Sequence, residues 1–264
     1  MQTIHIRLPA SLTYSAFLRH LSNDLFVLAG FNAGWCGRLK MVVDELFMNA
    51  VRYGSNEQSD VYLHFAYDDT NFTFTIEDEG KGAHPLSVQA LRDLVEANSR
   101  DGNLSRTSGR GLAMITKWWT DSMALNASDY GGISVQFTKT IDNTEPAVGL
   151  PIAGSIVPDF VIGEPVTPGG NRLVVRLSGA IDASNVTEKI APVVEQLDAL
   201  NEGEILVVDC QDVSYISSVF VGHLASWQTT TKRKKAQLHL RGLQPAVSEV
   251  LQLVGLLKLL TIES

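Results

Sequence analysis

Apolar and polar positions alternate along Gln2-Thr3-Ile4-His5-Ile6-Arg7-Leu8, the period of a half-buried strand. Pro9 to Ser11 predicts a turn, and the recurrence of Leu12, Phe17, Leu21, Leu25 and Leu28 predicts an amphipathic helix over 12–29. A second helix carries Asp44-Glu45-Leu46-Phe47-Met48-Asn49-Ala50. Strand-like alternation returns over Val61 to Tyr67 and Asn71 to Asp78, and the turn-forming Asp68-Asp69-Thr70 between them predicts a hairpin closed by Gly80-Lys81-Gly82. From Ala83 to Arg106 the pattern loosens into a helix and a polar loop, Asn98 to Asn103, in the manner of a cover over a site. Ser108-Gly109-Arg110-Gly111 then opens a helix running through Trp118, and a last hairpin turns at Gly131-Gly132 and ends near Ile141.

Five of the nine prolines fall between Pro146 and Pro168, which marks a linker and the entry to a second unit. Beyond it, Arg172 to Ser178 reads as a strand, 183–200 as a helix, and Ile205-Leu206-Val207-Val208-Asp209 as a short strand buried on both faces. A helix over 218–231, a strand over 237–241, a helix over 245–254 and a strand near Leu259 complete an alternation that predicts parallel pairing. The expected division is residues 1–142, a linker over 143–154, and residues 155–264, both units of α/β class.

Composition narrows the classes. With 45% apolar and 19% charged residues the chain is an ordinary globular protein, and its net charge of −8 argues against a nucleic-acid surface. The basic run Lys232-Arg233-Lys234-Lys235 falls where a helix should end, where cations complement the helix dipole, and is read as a solvated helix terminus. Cys36, Cys210 and the six histidines show no metal-ligand spacing, and the two thiols are expected reduced. No apolar run approaches membrane-spanning length and the first residues lack a leader pattern, so a cytoplasmic protein without a membrane contact is expected.

Three motifs converge on one ligand. On a helix, Glu45 and Asn49 project from one face a turn apart, bringing a carboxylate and an amide together among apolar neighbours. Asp78-Glu79-Gly80-Lys81-Gly82 sets a carboxylate at a strand end, able to accept from an amino group such as that of adenine, before two glycines that let backbone approach a ligand closely. Gly109-Arg110-Gly111 opens a helix whose first N–H groups suit a phosphate. An Asn oxygen can ligate Mg²⁺, which is usually shared with substrate phosphates, so in this order the three make an Mg-ATP site.

Residues 2–141 resemble the Bergerat-fold, histidine-kinase-like ATP-binding domain, an α+β sandwich, and most closely the short anti-sigma-factor serine kinases. Glu45-Leu46-Phe47-Met48-Asn49 is similar to the N box, Asp78 with Gly80 and Gly82 to the first glycine box, and Gly109 with Gly111 to the second, Arg110 lying between them. The resemblance implies Glu45 as general base toward a serine hydroxyl, Asn49 as magnesium ligand, Asp78 as adenine acceptor and Arg19 as a contact to the protein partner. One departure is that Ile133, not threonine, follows Gly132; Ser134 is expected on the opposite face of the strand.

Residues 155–264 resemble a STAS domain, the fold of anti-sigma-factor antagonists, through Leu177 to Asp182, Val207 to Ser218 and Leu243 to Leu256. Ser218 falls on the phosphoacceptor serine of that family, at a helix start where a phosphate meets favourable dipoles; the alternative is that Ser217 or Ser218 simply caps the helix. Ser217 replaces the usual Asp, and Val219-Phe220 replaces Ser-Gly. The fusion implies a partner-switching regulator of transcription, an ATP- and Mg-dependent protein serine kinase acting on a STAS serine in cis or in a partner. The alternative is a catalytically idle nucleotide-binding scaffold that sequesters a sigma factor or STAS protein. Contact between the two halves and a homodimer are both open.

Overall fold

The first unit is built on strands whose alternate residues are apolar. β1 (Gln2–Pro9), β2 (Asp60–Tyr67), β3 (Asn71–Glu77), β4 (Ser122–Ala127) and β5 (Ile133–Thr140) form an antiparallel sheet in the order β1-β2-β3-β5-β4. The computed structural model describes residues 1–100, 119–142, 172–253 and 256–263. It divides the chain into two compact units, Met1–Gly149 and Leu150–Ser264; the expected linker over 143–154 lies outside the described residues.

Register decides which residues become core. Phe65 faces Phe74, and Phe74 faces Phe137, so Val61, Leu63, Phe65, Phe72, Phe74, Ile76 and Phe137 are buried on one face. Against this face lie α1 (Ser15–Ala29) and α2 (Ala33–Gly54). Phe26 of α1 meets Phe72 edge-on at 4.8 Å between centroids, and Leu39, Val42, Val43, Leu46 and Phe47 of α2 are fully buried. Gly30 ends α1 at φ +102°, in the left-handed region, and Asn32 caps α2 by accepting from the Trp35 N–H at 3.0 Å.

The stripe expected on α1 is displaced. Phe17 and Leu28 are 51% and 68% exposed, and Leu12 belongs to a separate 3-10 turn, Leu12–Tyr14. Leu25 is buried as expected, and the helix adds Leu18, Arg19, Ser22 and Phe26, because Phe26 is drawn to the aromatic face of the sheet and Arg19 to Asp44 of α2. The polar loop expected from Asn98 also differs: α3 (Val88–Arg100) continues through those positions as far as Arg100.

In the second unit β6 (Arg172–Ile181), β7 (Ile205–Ile216), β8 (Gln237–Arg241) and β9 (Thr261–Glu263) pair parallel in chain order. They are connected by α4 (Val186–Ala199), α5 (Ser218–Arg233) and α6 (Pro245–Leu253), the last followed by a 3-10 turn, Leu256–Lys258. β7 does not stop at Asp209 but runs to Ile216, since β6 shifts register twice, once beside Gly179 at φ +71°, and stays paired past the polar Gln211-Asp212. Asp209, 1% exposed, accepts from Arg241 at 2.6 Å and from Arg176 at 3.5 Å, its register neighbours on the flanking strands. Cys36 and Cys210 are both buried, and burial pushes the Cys210 thiol up to about 12. The basic run is only partly solvated: Lys234 donates to the carbonyls of Leu197, Asp198 and Leu200 at 2.9, 2.6 and 3.2 Å, capping the end of α4.

Candidate nucleotide-binding site

One wall of the site is α2. Its buried residues, including Leu46, Phe47 and Ala50, fix the helix against the sheet and bring Glu45 and Asn49 to a half-buried position. The Asn49 Nδ2 donates to Glu45 Oε1 at 3.3 Å, which orients the amide so that its oxygen points away from the carboxylate.

The floor is Asp78, 7% exposed, just past the end of β3. Its Oδ1 accepts from the backbone N–H of Gly80 at 2.9 Å and of Ile133 at 3.2 Å. Burial raises the carboxyl pKa above its ordinary value, the two N–H groups pull against this, and nearby Glu77 adds to the rise. Glycines surround the group closely. A Cβ at Gly54 would stand 2.1 Å from the Asp78 Cγ, and one at Gly132 would stand 1.9 Å from its Oδ1. Gly80 has φ +64°, and a Cβ there would meet the Gly131 oxygen at 2.9 Å. With Oδ1 doubly engaged, Oδ2 is the oxygen that remains for a ligand donor.

A cavity of about 430 Å³ opens above this floor, within the ordinary range for a small-molecule site. Leu46, Asn49 and Ala50 form its α2 side, Ile133 and Val135 its β5 side, and Leu91 and Leu94 of α3 the opposite side. Arg92 of α3 donates to the Leu125 carbonyl at 2.6 Å, tying that helix to β4. The result is an apolar slot with a carboxylate at its base, suited to a flat heterocycle carrying an amino group.

The residues singled out from the sequence do not all meet here. Asn49, Asp78 and Gly80 line the cavity; Glu45 reaches it through its bond to Asn49. Gly82 is a packing glycine, with the Tyr53 carbonyl 2.0 Å from where a Cβ would be. Gly109, Arg110 and Gly111 lie outside the described residues. Arg19 is 8% exposed, its Nη1 donating to Asp44 Oδ1 at 3.2 Å. Ile133 lines the slot alongside Val135, which leaves Ser134 between them on the other face. Gly54, Gly132 and the Ile133 N–H were missed as neighbours of Asp78, because a contact to Asp78 leaves no mark in local spacing.

In the second unit Ser218 is half-buried as the first residue of α5. Ser217, at the N-cap position, makes no side-chain capping bond, and its hydroxyl is buried without a hydrogen-bond partner. Phe220 points into the core, 1% exposed and edge-on to Trp227 at 5.8 Å. Among the described residues no helix is long and apolar enough to cross a membrane.

Comparison with known families agrees with both units. Residues 166–261 match the family described as Mlab, STAS domain. Residues 8–139, half of the 264-residue chain, match the histidine kinase-like ATPase domain. No curated protein matches the chain. An ATPase-like domain points to nucleotide binding and a STAS domain to protein partners, a pairing that supports a regulator of partner-switching type. The chain therefore belongs to the histidine kinase-like ATPase family, with a STAS domain following its ATPase domain.

Proposed function

We propose that the protein is an ATP-dependent protein serine kinase and anti-sigma factor fused to an antagonist-like STAS domain, and that it switches partners according to the phosphorylation state of a STAS serine. The observation that carries this reading is the pairing of a glycine-cradled Asp78 at the base of an apolar slot with Glu45 and Asn49 at its edge. Asp78 Oδ2 accepts from the adenine amino group while the apolar walls hold the ring. Glu45 takes the proton of the serine hydroxyl as its oxygen bonds to the γ-phosphorus, the bond to the bridging oxygen breaks and ADP leaves.

The residues present fit a magnesium ion of the shared kind. No group of three or more His, Cys, Asp or Glu side chains among the described residues could hold a metal alone, and the oriented Asn49 oxygen is a hard ligand suited to a cation completed by phosphate and water. When bound, magnesium supplies neutralisation of phosphate charge. Gly109 to Gly111 are assigned to the phosphates and Ser218 to the acceptor, in the same chain, in a dimer or in a separate STAS protein. Arg19, through Asp44, would steady the Glu45 turn of α2 or contact a partner with its few exposed atoms.

A second reading, an idle nucleotide-bound scaffold that sequesters a sigma factor or STAS partner, is favoured by Ile133 in the slot and by the uncapped Ser217. Intact-protein mass spectrometry after incubation with Mg-ATP separates the two. One added phosphate, lost in both Ser218→Ala and Glu45→Ala, is the expected result for transfer in cis. No added phosphate on this chain or on a supplied STAS protein, with ATP still bound, would establish the scaffold instead.

A further inference from the structure

The tip of the β4–β5 hairpin belongs to the nucleotide slot on one face of the sheet and is clamped on the other. Gly131, Gly132 and Ile133 line the cavity and press on the Asp78–Gly80 loop. On the far face the ring of Tyr130, 43% exposed, stacks on Tyr62 of β2 with centroids 3.4 Å apart and planes 2° from parallel. The tip is held at a second point where the Asp129 N–H donates to Glu77 Oε2 at 3.2 Å. Tyr62 is itself tied to the other loop of the slot: its hydroxyl donates to Glu79 Oε1 at 3.3 Å, and Glu79 Oε2 holds Lys81 Nζ at 2.6 Å. The Lys81 N–H in turn donates to the Gly54 carbonyl at 2.9 Å, beside Asp78. Neither tyrosine lines the cavity.

We propose that Tyr62 and Tyr130 are positioning residues for recognition of the base: one ring grips the hairpin tip through its face and the first glycine loop through its hydroxyl, and so fixes the two backbone N–H groups that aim Asp78. This rests on the nucleotide reading above. Because Gly80 and Ile133 donate to the same Asp78 oxygen from two different loops, a shift of either loop turns the carboxylate, and the Tyr62 side chain is bonded or stacked to both. On the reading above, phosphate and magnesium are held by Asn49 and by Gly109 to Gly111 and not by the hairpin tip, so the two halves of the ligand should respond differently.

The test uses the full chain and two probes, Mg-ATP and Mg-tripolyphosphate, with dissociation constants from calorimetry and the ligand-free thermal midpoint measured alongside. Tyr130→Ala is expected to weaken ATP about tenfold, the scale of one aromatic pair, and to narrow the preference for ATP over GTP, while tripolyphosphate binding stays within twofold. Tyr130→Phe should restore ATP binding, since the stack survives. Tyr62→Phe, which keeps the stack and loses the Glu79 bond, should show an intermediate loss and serves if the alanine variant does not fold. Equal weakening of ATP and tripolyphosphate, or unchanged ATP affinity in a folded Tyr130→Ala protein, would overturn the proposal. A wild type that binds tripolyphosphate but not ATP would overturn the nucleotide reading itself and this inference with it.

Discussion

Replacing Gly54 by alanine sets two effects of opposite sign against each other. Gly54 is the last residue of α2, and alanine in a helix is favoured over glycine by at most about 1 kcal/mol, less at an end. The new methyl group, however, would stand 2.1 to 2.5 Å from three atoms of the Asp78 carboxylate. To reach ordinary contact the carboxylate must retreat by roughly 1.3 Å, which breaks the bonds that Gly80 and Ile133 make to Oδ1. Two hydrogen bonds to a charged group are worth about 1.5–3 kcal/mol each before relaxation, so even half of that sum exceeds the propensity gain. The expected outcome is a net loss of about 2 kcal/mol at the site, some thirtyfold in the dissociation constant for Mg-ATP, read by calorimetry beside a thermal melt. A Gly54→Ala protein that melts higher than wild type and binds ATP equally well would refute both the close approach and the role given to Asp78.

Three further outcomes follow from charge. The raised pKa of Asp78 means that the folded unit binds a proton more readily than the unfolded chain, so between the unfolded value and the higher folded one stability rises as pH falls. On the proposed role of Asp78, ATP binding uses the ionised form and should weaken over that same interval; calorimetry and melts across a pH series ought to move in opposite directions, and Asp78→Asn should melt higher near neutral pH while binding ATP more weakly. In the second unit, Lys234→Met removes a cation from three carbonyls at the end of α4 and should cost about 1–2 kcal/mol in urea unfolding; an unchanged midpoint would show that the contact adds nothing.

What was legible in the sequence was whatever depends on one element at a time. Glu45 and Asn49 share a helix face by spacing alone, Asp78 stands at the end of an alternating strand, and the parallel second unit is announced by strands and helices in turn. The stripe on α1 was rotated about a shared Leu25 because Phe17, Leu21 and Leu28 on one side of it and Leu18 and Phe26 on the other are all apolar at helical spacing, and only the sheet beneath, through Phe72, chooses between them. Gly54 and the Ile133 N–H escaped because their partner, Asp78, is distant along the chain; the hydrogen bond to Ile133 spans 55 residues. Lys234 looked like a solvated cation because the carbonyls it caps belong to another helix.

The start of α5 is left below the stability its position allows. An N-cap serine normally accepts from a first-turn N–H, a contribution of about 1 kcal/mol, yet the Ser217 hydroxyl is buried and without a partner, a further cost of about 1–3 kcal/mol. A helix start carries partial positive charge, and an anion placed beside it is favoured. If Ser218 is the acceptor proposed above, its phosphate would take the place of the missing cap and tighten this fold instead of loosening it. On that proposal ATP consumption would be stored as rigidity at a helix start, and a partner that needs that turn to yield would be the one released.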